Sequence, residues 1–371
     1  MASAKKIKDA GQNLAPRKIL YVSSEAAPFA KTGGLADVAG SLPSALSRLG
    51  HDVRLVIPGY ASIDRKAYGI KPLLPEMLVH FPEGTQTGAV STCRFPDSGV
   101  RVYLIEHADH FGREGLYQKD GRDYEDNAER FAFFCVSSLW LLKGINWQPN
   151  VIVCNDWQTA LIPTYLRTVR EFAETPFFSK IRLLFTIHNL AFQGLASPTI
   201  IPRLGLPLEI FNMEALEFFG YVNVLKGGIL YSDKISTVSP RYAQEIQTEE
   251  FGCGLDGVLR NRAKDVSGIL NGIDTQTWSP MSDDLIPRKY SLDALSGKAI
   301  CKAHLQKKSK LDVDPSAPLV GVISRLTDQK GFDLIAEIIK PLMKLNAQFV
   351  LLGTGEKKYH HLFERAASEY P

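Results

Sequence analysis

The feature that most constrains this chain is a recurring unit: a short apolar, β-rich run, then a polar or glycine-bearing loop, then a segment of helical period. Runs at residues 18–24, 52–57, 151–154, 181–187, 234–238, 266–270, 319–324 and 348–352 fit strands of this kind. After the first, apolar residues recur at Leu35, Val38, Leu42, Leu46 and Leu49, and Gly50 closes the helix. Pro43 inside that stretch should kink or restart it. Residues 88–95 and 100–106 alternate like a hairpin around Pro96-Asp-Ser-Gly99. Residues 125–143 read as a buried helix, whose apolar stretch at 131–142 is too short to span a bilayer. Strands alternating with helices predict an α/β protein built on parallel sheets.

A length of 371 residues suggests two domains. The reading places a polar lead-in at 1–17, a first Rossmann-like domain at 18–265, and a second series of strands at 266–371. A net charge of only +3 argues against a dedicated nucleic-acid or membrane-surface protein. Five cysteines, with no C-x-x-C pair, fit reduced thiols in a cytoplasmic protein. The lead-in has Lys5, Lys6 and Lys8 but no apolar core, so no secretory signal is expected there.

Chemistry concentrates where strands end. Lys31-Thr-Gly-Gly-Leu-Ala-Asp-Val38 puts a cation and two glycines before a helix N-terminus, which suits an anion; an ordinary βα loop with a surface lysine has the same spacing. It is neither a Walker A loop nor a dinucleotide fingerprint. Ser324-Arg-Leu-Thr-Asp-Gln-Lys-Gly331 sets Arg325 and Lys330 at a helix N-terminus, where the dipole disfavours positive charge and a diphosphate would relieve the conflict. Leu352-Gly-Thr-Gly-Glu356 would form a second wall of that anion site. Asn155-Asp156-Trp157, His188-Asn189 and Ser239 follow three strands and would face the ligand crevice. The histidines show no metal-binding spacing, and His360-His361 reads as a surface pair.

Taken in order, these motifs resemble those of bacterial glycogen synthases and plant starch synthases. The likeness runs from Lys31-Thr-Gly-Gly34 through Asn155-Asp-Trp157, Thr186-Ile-His-Asn-Leu-Ala-Phe-Gln-Gly194, Ser236-Thr-Val-Ser-Pro240 and Asn271-Gly-Ile-Asp274 to the Arg325/Lys330 loop and Leu351-Leu-Gly-Thr-Gly355. The resemblance implies a GT-B fold, two Rossmann-like domains facing a cleft. It implies transfer of glucose from ADP-glucose to the non-reducing end of an α-1,4-glucan such as glycogen, with retention. On that likeness His188 and Asp156 are catalytic residues holding the glucosyl ring, with Asn189 orienting the sugar. Lys31, Gly33, Gly34, Asp37, Asn271, Arg325, Lys330, Gly353, Thr354 and Gly355 bind the donor, Arg325 and Lys330 clamping its diphosphate. No metal or other cofactor, nucleic acid or membrane is implied.

Two departures accompany the likeness. Gln158 stands where the family often has histidine. The family's downstream glutamate segment and second T-G-G-L-like loop do not occur in this sequence, so the second domain is expected to be incomplete and loosely ordered or aggregation-prone, with at most trace synthase activity. Another retaining GT-B glycosyltransferase, or an inactive glucan- or nucleotide-binding remnant, fits the same residues. A donor screen separates the first of these, and ADP-glucose binding without glucan extension would mark the second.

Overall fold

The computed structural model describes residues 15–96 and 98–370; the greater part of the polar lead-in, and Asp97 of the hairpin turn, lie outside them. The chain divides into two compact units, one through Gly272 and one from Ile273.

The first unit is built on a nine-stranded sheet. Its strands are β1 (Lys18–Val22), β2 (Asp52–Pro58), β3 (Lys71–Phe81), β4 (Gly84–Arg94), β5 (Arg101–Glu106), β6 (Val151–Asn155), β7 (Arg182–Ile187), β11 (Lys234–Thr237) and β12 (Val266–Gly268), in the spatial order β12-β11-β7-β6-β1-β2-β5-β4-β3. A separate three-stranded sheet holds β8 (Leu195–Ala196), β9 (Glu217–Phe218) and β10 (Tyr221–Asn223). From β12 to β5 neighbouring strands are parallel, and β4 and β3 add an antiparallel edge. A strand covered on both faces has no polar side to show, which is why β1 reads as an unbroken apolar run, buried from Ile19 to Val22.

Helices supply the cover. Helix α1 (Gly34–Arg48) runs through Pro43 without ending, so the anticipated restart does not occur. Helix α2 (Asn127–Gly144) is buried on nearly all sides. The helical stretch expected after Trp157 is broken into a 3₁₀ turn and α3 (Leu161–Thr168). Helix α4 (Val224–Tyr231) lies against α3 and β7 through two glycines. A Cβ on Gly227 would stand 2.5 Å from the Thr164 hydroxyl, and one on Gly228 2.6 Å from the Phe185 ring. No helix among the described residues is long and apolar enough to cross a membrane.

Two elements differ from the sequence reading. Strand β3 was not anticipated: Pro72 and Pro75 argue against a strand, and the pairing with β4 slips in register across that stretch. The run at 266–270, grouped above with the second domain, pairs instead with β11 (Ile235↔Val266) and closes the first sheet.

The second unit contains α6 (Ser296–Lys308), α7 (Phe332–Met343) and α8 (Lys357–Glu369); α5 (Pro240–Glu245) belongs to the first. Its sheet pairs β13 (Leu319–Ile323) with β14 (Gln348–Leu352) in parallel, Ile323 opposite Leu352. Leu326, Phe332 and Tyr359 form its small buried cluster.

Alanine normally improves a helix over glycine by about 1 kcal/mol. At Gly228 the overlap with buried Phe185 reverses the sign: Gly228→Ala is expected to lower unfolding free energy by about 1–3 kcal/mol. Urea unfolding of the two forms measures this, and an unchanged or raised midpoint would show that the helix can retreat.

Candidate active site

Parallel register places the candidate groups at one edge of the first sheet. Val22 is level with Cys154, Asn155 with Thr186, and Ile187 with Thr237. The segments that follow β1, β6 and β7 therefore leave the sheet side by side. From β1 the chain first builds outward through β2 and β5, then returns to place β6 on the other flank. The strand order thus reverses between β1 and β6, the position where open α/β sheets bind ligands.

Asp156 follows β6 and is buried. Its backbone has φ 56° and ψ −177°, a region that glycine alone adopts freely and that costs another residue of order 1–3 kcal/mol. The carboxylate Oδ1 accepts the His188 N–H at 2.7 Å and the Asn189 N–H at 3.4 Å. Burial pushes its carboxyl up to about 7, against the pull of those two donors.

His188, half-buried, leaves β7. Asn155 donates its amide to the Val22 carbonyl at 2.8 Å, which turns its Oδ1 toward the Tyr21 hydroxyl and His188 Nε2, each at 3.0 Å. With that oxygen as acceptor, Nε2 carries the proton and Nδ1 is the acceptor nitrogen. Burial lowers the imidazole to about 4, so the ring is neutral at pH 7. Asn189 closes its own turn by accepting the Ala191 N–H at 3.0 Å. The Tyr242 hydroxyl accepts the Leu190 N–H at 3.0 Å, and Ser239 caps the helix that carries Tyr242.

Glu25, three residues past β1, was missed in the sequence. It is buried, and its carboxylate accepts the Thr32 N–H and the Thr32 hydroxyl, the latter at 3.0 Å. Burial raises its carboxyl, opposed by Thr32 and Gly33, while nearby Asp156 raises it further. Glu25 thereby fastens the Lys31-Thr-Gly-Gly34 loop to the end of β1. A carboxylate just beyond an apolar strand was the available signal. Lys31 itself pairs with Asp37 at 2.6 Å, both half-exposed. A Cβ on Gly33 or Gly34 would meet no protein atom within 4 Å. Asn271 lies exposed in the loop after β12, in the first unit.

In the second unit, Arg325 and Lys330 are exposed in the loop between β13 and α7, and Gly331 enters the helix with φ 73°. The loop after β14 lies directly against it. Leu326 N–H donates to the Thr354 carbonyl at 2.8 Å, and the Leu326 carbonyl accepts the Glu356 N–H at 2.9 Å. A Cβ on Gly353 would stand 2.1 Å from the Ser324 carbonyl oxygen, and one on Gly355 2.4 Å from that of Leu326. The structure so brings Arg325, Lys330 and the Gly353-Thr-Gly355 loop together. His360 joins them: its Nε2 accepts the Gly355 N–H at 3.2 Å from a partly exposed position, and His361 beside it is exposed. Asp328 accepts from Lys358 at 2.8 Å and from the Tyr359 hydroxyl, which anchors α8 to the same loop. Among the described residues, no group of three or more His, Cys, Asp and Glu is placed to hold a metal ion.

Parallel α/β units with polar groups at their strand ends suit many ligand-binding proteins, and likeness to known proteins identifies this one as a GT-B glycosyltransferase. A family described as the starch synthase catalytic domain matches residues 18–261. Glycogen synthase 2 of Geobacter sulfurreducens is 47% identical over 342 residues, covering 92% of this chain and 70% of that protein. Glycogen synthase of Moorella thermoacetica is 45% identical over 356 residues, covering 96% and 70%. The catalytic domain of starch synthase IV from Arabidopsis thaliana, solved bound to ADP and acarbose, superposes with a TM-score of 0.87 at 32% identity, over 96% of this chain and 72% of that one. The chain belongs to the glycogen and starch synthase family, and its function is that of a glycogen synthase.

The two unusual ionisations act on stability in opposite directions. Asp156 titrates near 7 when folded but near 3.8 when unfolded, so the unfolded chain binds fewer protons in that window and stability falls as pH rises through it. His188 titrates near 4 folded and 6.5 unfolded, so stability falls as pH drops through that window. Relative to the parent, Asp156→Asn should therefore gain stability toward pH 8, on the order of 2–4 kcal/mol, while His188→Asn should gain toward pH 4. Thermal unfolding across pH 4–8 measures both; parallel slopes for the two variants would refute these ionisations.

Proposed function

We propose that this glycogen synthase takes ADP-glucose as donor and extends the non-reducing end of an α-1,4-glucan, glycogen, with retention, in the cytoplasm. The observation that carries the reading is the Asp156–His188–Asn155 hydrogen-bond grid at the strand-order reversal. The solved relative bound to ADP and acarbose supports an adenine-nucleotide donor. The free cysteines fit a reducing compartment.

In this reading His188 and Asp156 hold the glucosyl ring, with Asn189 orienting the sugar. As the bond from the anomeric carbon to the diphosphate breaks, the carbon gains positive charge and the ADP negative charge. A neutral His188 adds no repelling charge beside the carbon. Asp156 favours the cationic centre in its ionised form, and the acceptor hydroxyl bonds to the carbon on the face the diphosphate leaves, its proton passing to the departing diphosphate oxygen. Arg325 and Lys330 take up the charge growing on the diphosphate, with Gly353, Thr354 and Gly355 holding the loop beneath them. Lys31, Asp37, Gly33, Gly34 and Asn271 contact the donor before and after reaction alike. The open space at Gly33 and Gly34 supports a close approach of ligand to backbone there.

Three variants test the roles, read by glucose incorporation from ADP-glucose into glycogen. His188→Ala should lower kcat by about a hundredfold or more. Lys31→Gln should mainly raise KM for ADP-glucose, and Arg325→Ala mainly lower kcat. Near-parental kcat for His188→Ala, or the reverse pattern for the two cations, would overturn the assignments, and faster transfer from UDP-glucose would overturn the donor.

A further inference from the structure

The turn between β9 and β10 is built against local preference. Phe218 pairs with Tyr221, leaving Phe219 and Gly220 as a two-residue loop, with φ 49° and 83°. Positive φ at both positions is the type I′ pattern, which favours Asn, Asp or Gly. A phenylalanine there costs roughly 1–2 kcal/mol, and burial does not offset it, because Phe219 is 79% exposed. Fold stability therefore does not account for this residue.

The base of the hairpin is as rigid as its tip is open. The Lys226 ammonium is largely buried and donates to the Met213 and Glu217 carbonyls at 2.7 Å each. Buried Asn223 donates to the Gln193 amide oxygen at 2.7 Å, and Gln193 donates to the Cys253 carbonyl at 3.0 Å. Phe218 meets the Phe219 ring edge-on at 4.7 Å, and a Cβ on Gly254 would stand 2.8 Å from Phe218. An outward aromatic ring on a fixed base binds with little loss of side-chain freedom.

Chain continuity ties the hairpin to the candidate site. β8, which pairs with β10 through Leu195↔Asn223, lies on the segment that leaves β7 at His188, and Phe192 on that segment is also exposed. We propose that Phe219 and Tyr221 form a stacking platform for the α-1,4-glucan, beyond the sugar that reacts. The face of a glucose ring is a layer of C–H groups, which packs on an aromatic face while the hydroxyls at its rim stay in water. The exposed rings of Phe192, Phe219 and Tyr221 present roughly 350 Å², well short of the ~800 Å² per partner of a stable protein interface. The platform rests on the glucan being the acceptor.

Phe219→Asn separates binding from folding, since asparagine suits the left-handed backbone. The chain and this variant are titrated with maltose, maltoheptaose and glycogen, and with ADP-glucose. The expected result is maltoheptaose and glycogen affinity weakened about tenfold, a difference near 1.4 kcal/mol, with maltose and ADP-glucose binding unchanged and the melting temperature equal or higher. Equal maltoheptaose affinity in both forms overturns the platform alone. Loss of self-association on substitution, with glucan affinity unchanged, assigns the ring to a second copy of the chain and overturns it too. Failure of the parent to bind any glucan while it binds ADP-glucose overturns the platform and the acceptor reading together.

Discussion

The carboxylate of Asp156 is the constraint around which the first unit is arranged. It is buried on a backbone conformation proper to glycine, and it is anchored by N–H groups at the start of the loop after the neighbouring strand. Such a group holds its place only if β6 and β7 keep their register, since a slip of one residue would carry His188 to the opposite face. The apolar core behind the strands and the glycine contact that lets α4 press on Phe185 hold β7 in place, and the Thr186–Ser236 hydroxyl pair at 2.8 Å ties its other flank to β11. Packing in the core and ionisation at the edge are two descriptions of one arrangement.

Glycines serve two opposite purposes in the chain. Gly353 and Gly355 are required by the protein itself, because the Ser324 and Leu326 carbonyls occupy the space a side chain would need. They allow two βα loops to run backbone against backbone, and Arg325 is thereby carried on a doubly supported turn. Gly33 and Gly34 have no protein neighbour at the corresponding place, and Gly33 has an extended φ of −157° that any residue adopts. Internal packing explains the first pair and does not require glycine at the second, which is the pair the proposed reading sets against the donor.

Much of this was legible in the sequence, and what was not has identifiable causes. Alternating apolar runs and helical periods located the parallel strands, because a strand buried on both faces cannot disguise its composition. Strand β3 escaped because its prolines fall at register slips, where the missing N–H groups do no harm. The strand at Val266–Gly268 was grouped with the wrong neighbours, since pairing partners are a tertiary fact that local pattern does not carry. Asp156 and His188 stood out as polar residues at strand ends. Glu25 and Asn155 did not stand out in their roles: one fastens a loop and the other sets a tautomer, and both depend on atoms distant in sequence. The bond from the Gly355 N–H to His360 was not legible either, because it needs the loop folded back on the first turn of α8.

The distribution of charge between the units matches the chemistry proposed. On the first, three groups beyond the strand ends are pushed toward neutrality: the His188 imidazole downward, the carboxyls of Glu25 and Asp156 upward. On the second, the loop presents Arg325 and Lys330 exposed to water. A nucleotide-sugar has the complementary division, a neutral hexose joined to a permanently anionic diphosphate. On the proposed roles, Arg325 and Lys330 would answer to the part of the donor that is charged throughout, and Asp156 to the part that becomes charged only as the bond breaks, where a developing positive charge would draw it back toward its ionised form. On that reading, burial of Asp156 and His188 would keep them nearly silent toward the resting sugar and let Asp156 answer when charge appears.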